Sequence, residues 1–263
     1  MSNLTLAVRD STTMLRRNLL HARRYPSLTL NLLLTPIVLL LLFVYVFGDV
    51  MSAGIGGGGA DRSEYIAYLV PGILLMTIGG TLIGTAVSVS MDMTEGITAR
   101  FRTMAISRAA VLAGHVLGNT IQAIIAVVLV LCVGLLIGFR PTAGFVEWIS
   151  AAGLIVLIAY AISWLGVAMG MQAKSAETAS NLPLVLTFLP FLSSGFVPTE
   201  SMPEWLQWFA QYQPFTPFIE AIRGLLLGTP LGWSPVLAIG WCVVLVVAGY
   251  AWSMAIYERK SVR

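Results

Sequence analysis

Side chains that could carry out a reaction are few in this 263-residue chain, and they lie far apart in the sequence. The chain has two histidines, His21 and His115, and it contains neither G-x-S-x-G nor H-E-x-x-H, motifs that present a nucleophile or a pair of metal ligands. Its two cysteines, Cys132 and Cys242, each lie in an apolar run, so we expect two small buried side chains rather than a disulfide. The sequence therefore predicts no catalytic residue, no metal site and no enzymatic activity.

Two short patterns resemble nucleotide-binding motifs, but neither has the context that such a motif needs. Residues 54–59 match G-x-G-x-x-G, which binds a dinucleotide only between a strand and a helix, whereas we expect a flexible loop here. Lys174 and Ser175 resemble the end of a Walker A motif, but Ala173 replaces the glycine that the motif requires. We therefore expect that the chain does not bind ATP in this way.

The overall composition is that of a membrane protein. Hydrophobic residues make up 57% of the chain and charged residues 10%, against about 25% charged residues in an ordinary soluble domain. The net charge is +3, but the basic residues are dispersed among apolar runs and do not form the continuous stripe that binds nucleic acid. Because no polar half separates from an apolar half, we predict one membrane domain over residues 1–263.

Six long runs without Asp, Glu, Lys or Arg follow one another, and we predict one α-helical crossing for each. About 20 apolar residues are enough to cross the hydrocarbon core once. The runs are Tyr25–Gly48, Tyr65–Met91, Ala109–Phe139, Trp148–Ala173, Thr178–Thr199 and Gly224–Tyr257. Six crossings within residues 25–257 place both ends of the chain, residues 1–24 and 258–263, on the same side of the membrane.

The distribution of basic residues predicts which side that is. With both termini in the cytoplasm, twelve of the fifteen Lys and Arg residues lie in cytoplasmic segments, and only Arg62, Arg140 and Arg223 lie in outer ones. Short cytoplasmic loops of membrane proteins are enriched in basic residues. The sequence therefore favours an orientation with both termini in the cytoplasm.

The interior of the predicted spans carries further information about packing and mechanism. Three small-xxx-small pairs would let helix backbones approach, although glycine is also common in membrane helices for other reasons: Gly80/Gly84, Gly134/Gly138 and Gly166/Gly170. Four prolines are expected to kink or begin spans: Pro36, Pro71, Pro183 and Pro190.

No charged residue lies inside a predicted span, which argues against ion-coupled transport. Polar backbone in a broken helix could still coordinate sodium.

Residues 4–24, before the first predicted span, have the pattern of an amphipathic helix. Apolar residues recur at helical spacing, and the other faces carry Arg16, Arg17, Arg23 and Arg24. Such a helix would lie in the inner headgroup layer of the membrane. A basic leader that only fixes the topology is the alternative interpretation.

Residues 92–108, between the second and third predicted spans, form the second segment of interest. Acidic residues come first, Asp92 and Glu95, and basic residues follow, Arg100, Arg102 and Arg108, an order that the helix dipole would favour. Ile97, Phe101 and Met104 would form an apolar stripe able to enter a groove on a partner protein. A solvated loop that only turns the chain is the alternative.

Residues 196–228 form the third segment, on the predicted outer side. The segment is apolar but is interrupted by prolines, which favours a re-entrant helical hairpin over another full span. Aromatic residues including Trp205 and Trp208 would lie at the outer membrane interface, and Glu220 could pair with Arg223 on a short helix. Its four prolines are Pro198, Pro203, Pro214 and Pro217.

These segments, in this order around six spans, resemble the membrane subunits of ATP-binding-cassette type-2 (ABC-2) exporters, particularly the permeases of the daunorubicin/doxorubicin-resistance type. The resemblance covers nearly the whole chain. In the inner segment it depends on Glu95-Gly96, Arg100, Arg102 and Ser107-Arg108. In the outer segment it depends on residues 194–198, 202–205, Pro214, Glu220-Ala221 and Arg223-Gly224. Ala105 departs from the family, many members of which have proline there.

The resemblance implies an all-α integral membrane fold with six transmembrane helices, an N-terminal elbow helix, a cytoplasmic coupling helix and an extracellular re-entrant hairpin before the last span. Asp92–Arg108 would be the coupling helix that docks on a separate ATPase subunit, with Asp92, Glu95, Gly96, Arg100, Phe101, Arg102 and Arg108 as the contact residues. Residues 4–24 would be the elbow helix that also touches the ATPase. The second and fifth spans would line the path of the cargo.

The resemblance also implies partners and a location. Two permease chains, identical or paralogous, would pair above two ATPase chains in the plasma (inner) membrane of a prokaryote, and ATP and magnesium would bind the ATPase rather than this chain. The cargo would be a hydrophobic or amphipathic drug, polyketide or lipid, which a path without charged side chains suits. Export of a polysaccharide or glycolipid is an alternative, and a membrane scaffold or channel-like protein that transports nothing is another.

Overall fold

The computed structural model describes residues 26–48, 62–94 and 108–261, and within these ranges every regular element is helical. The all-α prediction is thereby confirmed for the described part of the chain. The α-helices in chain order are α1 (Pro26–Tyr45), α2 (Arg62–Thr94), α3 (Arg108–Ile137), α4 (Phe145–Gln172), α5 (Ala176–Asn181), α6 (Leu184–Phe188), α7 (Glu204–Tyr212), α8 (Phe215–Leu227) and α9 (Ser234–Ser261). Two short 3₁₀ helices cover Leu189–Leu192 and Thr199–Ser201.

Four helices are long and apolar enough to cross a membrane. They are Arg62–Thr94, Leu112–Ile137, Phe145–Gln172 and Ser234–Tyr257, with 33, 26, 28 and 24 residues. At 1.5 Å per residue, each exceeds the roughly 30 Å of the hydrocarbon core. Within α1, a shorter apolar helix covers Leu33–Tyr45. The protein is therefore a multi-pass membrane protein, while the count of six crossings stays a prediction.

The fifth predicted span, Thr178–Thr199, is broken rather than continuous. Helix α5 ends at Asn181, α6 begins after Pro183, and the chain then tightens into the 3₁₀ helix that contains Pro190. Each proline lacks the N–H that a continuing α-helix would use, and the helices change at Pro183 and Pro190, as expected from the sequence. Pro36 and Pro71, in contrast, lie within α1 and α2.

The sixth predicted span, Gly224–Tyr257, is also divided. Gly228 adopts a left-handed conformation with φ 69°, and its N–H donates to the carbonyl of Gly224, which ends α8. Helix α9 begins only at Ser234 and continues through Ser261, beyond the predicted end at Tyr257. The apolar run therefore contains the end of a short helix, a turn and one long helix.

Helix α4 packs against α2, α3 and α9, and glycines permit its closest contacts. A Cβ at Gly170 would lie 2.5 Å from the carbonyl oxygen of Ala86, and one at Gly166 would lie 3.1 Å from Cβ of Thr85. The prediction for this pair is confirmed, because only glycine permits such an approach. Gly80 and Gly84, in contrast, have no atom of another described element within 4 Å of a Cβ position.

The two cysteines differ in their surroundings. Cys242 on α9 is fully buried, whereas Cys132 on α3 is exposed, so the expectation that both are buried is wrong for Cys132. Its neighbours Val128, Leu129 and Leu136 on α3 are exposed as well. This face of α3 points away from the other described helices, where apolar side chains suit a hydrocarbon environment.

Candidate functional site at the ends of the helix bundle

Many of the predicted contact residues lie outside the described part of the chain. These are the elbow-helix arginines Arg16, Arg17, Arg23 and Arg24, and the coupling-helix residues Glu95, Gly96, Arg100, Phe101 and Arg102. Two members of the predicted set flank this gap: Asp92 lies in the last turn of α2, and Arg108 is the first residue of α3. The elbow helix and the coupling helix therefore stay predictions.

Asp92 and His115 are in polar contact between α2 and α3, next to residues 95–107 in the sequence. Oδ2 of Asp92 lies 3.1 Å from Nε2 of His115, and the two side chains are 15% and 8% exposed. We call this pair the Asp92–His115 clasp. Sequence reasoning placed Asp92 in a docking surface, and it did not bring Asp92 and His115 together.

The clasp lies where four long helices converge. A small cavity at this point is lined by Val89 and Met93 of α2, Leu112 of α3, Met171 of α4 and Tyr257 of α9. Among the described residues that line this cavity, the polar side chains are the pair itself and Tyr257. Low polarity strengthens the interaction between Asp92 and His115 but also makes it costly to leave either one without its partner.

A second polar contact joins α2, α3 and α4 within the bundle. Nδ2 of Asn119 donates to Oγ of Ser163 at 2.8 Å and to Oγ1 of Thr81 at 3.2 Å. The hydroxyls of Ser163 and Thr81 donate in turn to backbone carbonyls of their own helices. All three side chains are buried, and this cluster satisfies them internally, so we assign it a structural role.

At the opposite end of the bundle, Arg223 of α8 binds the backbone of two other elements. Its Nη2 donates to the carbonyl oxygens of Ser194 at 2.7 Å and of Tyr68 at 3.1 Å. The guanidinium also lies over the ring of Tyr68, 3.9 Å from the centroid. Arg223 therefore joins the predicted hairpin to α2.

The predicted pairing of Glu220 with Arg223 is wrong. Among the described side chains, Glu220 instead accepts a hydrogen bond from the hydroxyl of Ser234, at 2.8 Å, at the start of α9. Residues three apart on a helix can pair, but here the guanidinium of Arg223 is directed to the carbonyl oxygens of Ser194 and Tyr68 on other segments.

The segment around Gly195 packs directly on α2. A Cβ at Gly72 would lie 2.6 Å from the carbonyl oxygen of Gly195 and 2.9 Å from its Cα. The hydroxyl of Ser193 donates to the carbonyl of Pro190 and accepts from the N–H of Gly195, which fixes the turn. Glycine is therefore required at position 72, whereas a Cβ at Gly195 would lie 3.0 Å from Cδ1 of Ile219 and 3.1 Å from Cα of Gly72.

Four prolines and one glutamine shape the hairpin. Pro203 and Pro214 immediately precede α7 and α8, Pro198 precedes the 3₁₀ helix at Thr199, and Pro217 lies in the first turn of α8. These are positions where proline is tolerated, because the first N–H groups of a helix have no intrahelical partner. Gln213 links α8 to the broken fifth run: its Oε1 accepts from the N–H of Phe215, and its Nε2 donates to the carbonyl of Leu192.

The two helices of the hairpin differ in burial. Helix α8 buries most of its residues against α2, α4 and α9, including Phe218 and Ile219. Helix α7 exposes its aromatic side chains: Trp205 is 75% exposed, Trp208 68% and Tyr212 63%. The structure thus contains two short helices before the long helix α9: α7, whose aromatic side chains are exposed, and α8, which is mostly buried.

Comparison with known proteins places this arrangement in a family. The model of the ABC-2 type transporter family matches residues 10–227, most of the chain. The chain belongs to the ABC-2 type transporter family. This family consists of membrane permease subunits rather than ATPases, so a partner ATP-binding subunit is implied.

Individual relatives of this ABC-2 permease carry names of drug-resistance transporters. The daunorubicin resistance ABC transporter permease protein DrrB1 of Streptomyces coeruleorubidus is 29% identical over 257 residues, covering 97% of this chain and 88% of that protein. The probable doxorubicin resistance ABC transporter permease protein DrrC of Mycobacterium tuberculosis is 27% identical over 80% of this chain and 77% of its own length. The putative transport permease YvfS of Bacillus subtilis is 22% identical over 74% and 78%.

In this ABC-2 permease, the outer motif that carried the resemblance has a structural explanation. Ser194 supplies a carbonyl to Arg223, Gly195 contacts Gly72, and Phe196 is buried against Phe43 and Phe191 with ring centroids 5.1 and 4.7 Å apart. The motif therefore attaches the broken fifth run to α1, α2 and α8.

Proposed function

We propose that this ABC-2 permease is the membrane-spanning subunit of an ATP-driven exporter that moves a hydrophobic or amphipathic compound out of the cell. The observation that carries the proposal is the family membership of a chain whose long helices contain no Asp, Glu, Lys or Arg between their ends, in the described ranges 65–91, 112–137 and 148–172. An ion-coupled transporter usually keeps such a residue near the middle of the membrane, so these ranges argue against ion coupling. The driving force is therefore supplied from outside the chain.

The force enters through residues 92–108 in this proposal. Two ATPase subunits close on binding ATP, their movement displaces the coupling segment and the elbow helix, and the spans rearrange to release cargo outward. Asp92 and Arg108 support this assignment because they place the segment between the ends of α2 and α3, two of the long helices. A displacement of the segment would therefore act on both helices at once.

The proposed cargo is a drug, a polyketide or a lipid. The names of two relatives, which refer to daunorubicin and doxorubicin resistance, support this class, and both compounds are therefore suitable probes for this chain. A second permease chain, identical or paralogous, completes the path. The described part of α2 leaves Gly80 and Gly84 uncovered, which is consistent with a further surface meeting this helix.

The test is copurification followed by reconstitution. The permease is coexpressed with a candidate ATPase that has Walker A and signature motifs, reconstituted in vesicles, and assayed for daunorubicin uptake into inside-out vesicles and for ATP hydrolysis with and without daunorubicin. We expect a stable complex, stimulation of hydrolysis and ATP-dependent uptake. Stimulation by a lipid-linked saccharide alone would favour the polysaccharide alternative, and a permease that binds no ATPase would favour a scaffold.

The coupling role of residues 92–108 is tested in the same vesicles. Glu95→Ala and Arg102→Glu should lower uptake per ATP hydrolysed without preventing membrane insertion, since they change only the proposed docking surface. Arg140→Glu, at the opposite end of α3, is the matched control and should leave that ratio unchanged. Unchanged uptake in both coupling variants would reject this role for the segment.

A further inference from the structure

The short helix α7 presents three different faces around its axis. Because successive residues of an α-helix turn by about 100°, residues spaced i, i+3, i+4 and i+7 share one face. The four aromatic residues of α7 have this spacing: Trp205, Trp208, Phe209 and Tyr212. A second face carries the polar residues Glu204, Gln207 and Gln211, and the third carries Leu206 and Ala210.

The third face attaches α7 to the protein. Ala210 is the buried residue of this helix, and its carbonyl accepts a hydrogen bond from the hydroxyl of Thr216 in α8. Helix α7 also packs on the 3₁₀ helix Thr199–Ser201. The aromatic side chains, in contrast, are 40–75% exposed, and the rings of Trp208 and Tyr212 contact each other with centroids 5.5 Å apart. The aromatic face therefore points away from the surface that holds α7.

Contacts with α2 show how deep the hairpin reaches. A Cβ at Gly79 would lie 3.9 Å from Cε1 of Phe215, the first residue of α8, and Gly79 is next to the middle of the range 65–91. Further along α8, Arg223 reaches the carbonyl of Tyr68, close to the end of that range. Helix α8 therefore rises from the middle of α2 towards its end. Tyr212, three residues before Phe215, lies at the deep end of the hairpin.

The other end of α7 lies nearer the surface of the membrane. It packs on the 3₁₀ helix that follows Phe196, and the ring of Phe196 lies 5.1 Å from that of Phe43 in the last turn of α1. Trp205, in the first turn of α7, is therefore shallower than Tyr212. Helix α7 slopes into the leaflet at the Arg223 end of the bundle, which the predicted orientation makes the outer leaflet.

The composition of the aromatic face favours lipid as the material that covers it. Trp and Tyr combine an apolar ring with one polar group, which suits the boundary between headgroups and acyl chains. Phe145 at the start of α4 and Trp233 just before α9 are exposed at the same end of the bundle. A second chain is better accommodated by small residues such as Gly80 and Gly84 of α2, because these let helix backbones approach.

We propose that α7 lies in the lipid leaflet at the Arg223 end, with its aromatic face against headgroups and acyl chains and with Tyr212 deeper than Trp205. The polar face, with Glu204 and Gln211, is then turned away from the acyl chains, as in other amphipathic helices at a membrane. This inference goes beyond the proposed function and depends neither on an ATPase nor on a cargo.

The experiment measures the tryptophan fluorescence of the permease alone in phosphatidylcholine vesicles. Part of the lipid is brominated, either near the headgroup end or near the methyl end of the acyl chains, and bromine quenches rings that it touches. Four tryptophans are exposed, so Trp205→Phe and Trp208→Phe should each remove roughly a quarter of the quenched emission. Trp164→Phe is the matched control, because Trp164 is 4% exposed and its loss should leave the quenched emission unchanged.

The slope of α7 is tested by Tyr212→Trp, which removes no tryptophan. Its added emission should be quenched more strongly by lipid brominated near the methyl end, whereas the emission lost in Trp205→Phe should be quenched more strongly by lipid brominated near the headgroup end. The reverse order would overturn the slope.

Two results would overturn the lipid contact itself. If the quenched emission is unchanged in both Trp205→Phe and Trp208→Phe, another protein surface, such as a second copy of this chain, covers the aromatic face. If the emission lost in these variants is quenched by iodide in the water and not by brominated lipid, the face lies in water. The proposed function would fail in a different assay, since its test requires the ATPase and daunorubicin.

Discussion

The two ends of the helix bundle are held together by different kinds of contact. At one end, the Asp92–His115 clasp joins two continuous helices through two side chains. At the other, Arg223 binds the carbonyls of Tyr68 and Ser194, and the backbone of Gly195 lies directly on Gly72. The Asp92–His115 end thus depends on a contact between two side chains. The Arg223 end depends on contacts in which at least one partner is the backbone.

The broken fifth run explains this difference. In an intact helix the carbonyls are used by the i to i−4 hydrogen bonds, but the carbonyl of Ser194 lies after the 3₁₀ helix ends and is available to Arg223. The clasp joins helix surfaces whose backbone groups are already satisfied, so only side chains can interact there. We infer that the Arg223 end is the rigid end and the clasp the adjustable one.

Removing Arg223 should have the largest effect on stability. Arg223→Ala removes two charge-assisted hydrogen bonds in a partly buried site, and one such bond contributes about 1.5–3 kcal/mol, so we expect a loss of about 3 kcal/mol. The measurement is the thermal midpoint of the detergent-solubilised protein. Arg140→Ala is the matched control: Arg140 also donates to two carbonyls, of Leu135 and Phe139, but it is exposed, and water can replace it. Equal losses in both variants would contradict the assignment of a rigid end.

Filling the glycine contact should have an intermediate effect. Gly72→Ala would place Cβ 2.6 Å from the carbonyl oxygen of Gly195, so backbone must shift, at a cost of about 1–3 kcal/mol. Gly80→Ala, two turns further along α2, meets nothing within 4 Å and should lose no stability. The two variants are compared by thermal melting, and a larger loss for Gly80→Ala would show that α2 is oriented differently.

Replacing the whole clasp should have the smallest effect on stability. In Asp92→Leu with His115→Leu both partners of this contact are removed together, so neither is left without the other, and we expect a smaller loss than in the single variant Asp92→Leu. The single variant Asp92→Leu is the comparison, since it leaves His115 without this partner and should melt lower. A double variant as unstable as Arg223→Ala would indicate that the clasp is a structural anchor rather than an adjustable contact.

Much of the fold follows from local features of the sequence. Long apolar runs must be helical in hydrocarbon, because the backbone groups find no partner in the solvent, and α2, α3 and α4 fall within or around the predicted runs. The close approach of another helix at Gly166 and Gly170 was anticipated from their spacing, whereas Ala86 as the neighbour was not. The residues of the outer motif were also identified from the sequence, although their contacts were not.

The tertiary structure decided which polar groups meet. Asp92 and His115 lie 23 positions apart, and Arg223 lies 155 positions from its acceptor at Tyr68, so their encounters depend on how each helix is rotated and shifted against its neighbours. The exposure of Cys132 has the same origin. Long apolar runs placed in hydrocarbon were enough to predict helices from the sequence alone. Which side chains pair between those helices depends on how all of them pack together, and only the tertiary structure shows it.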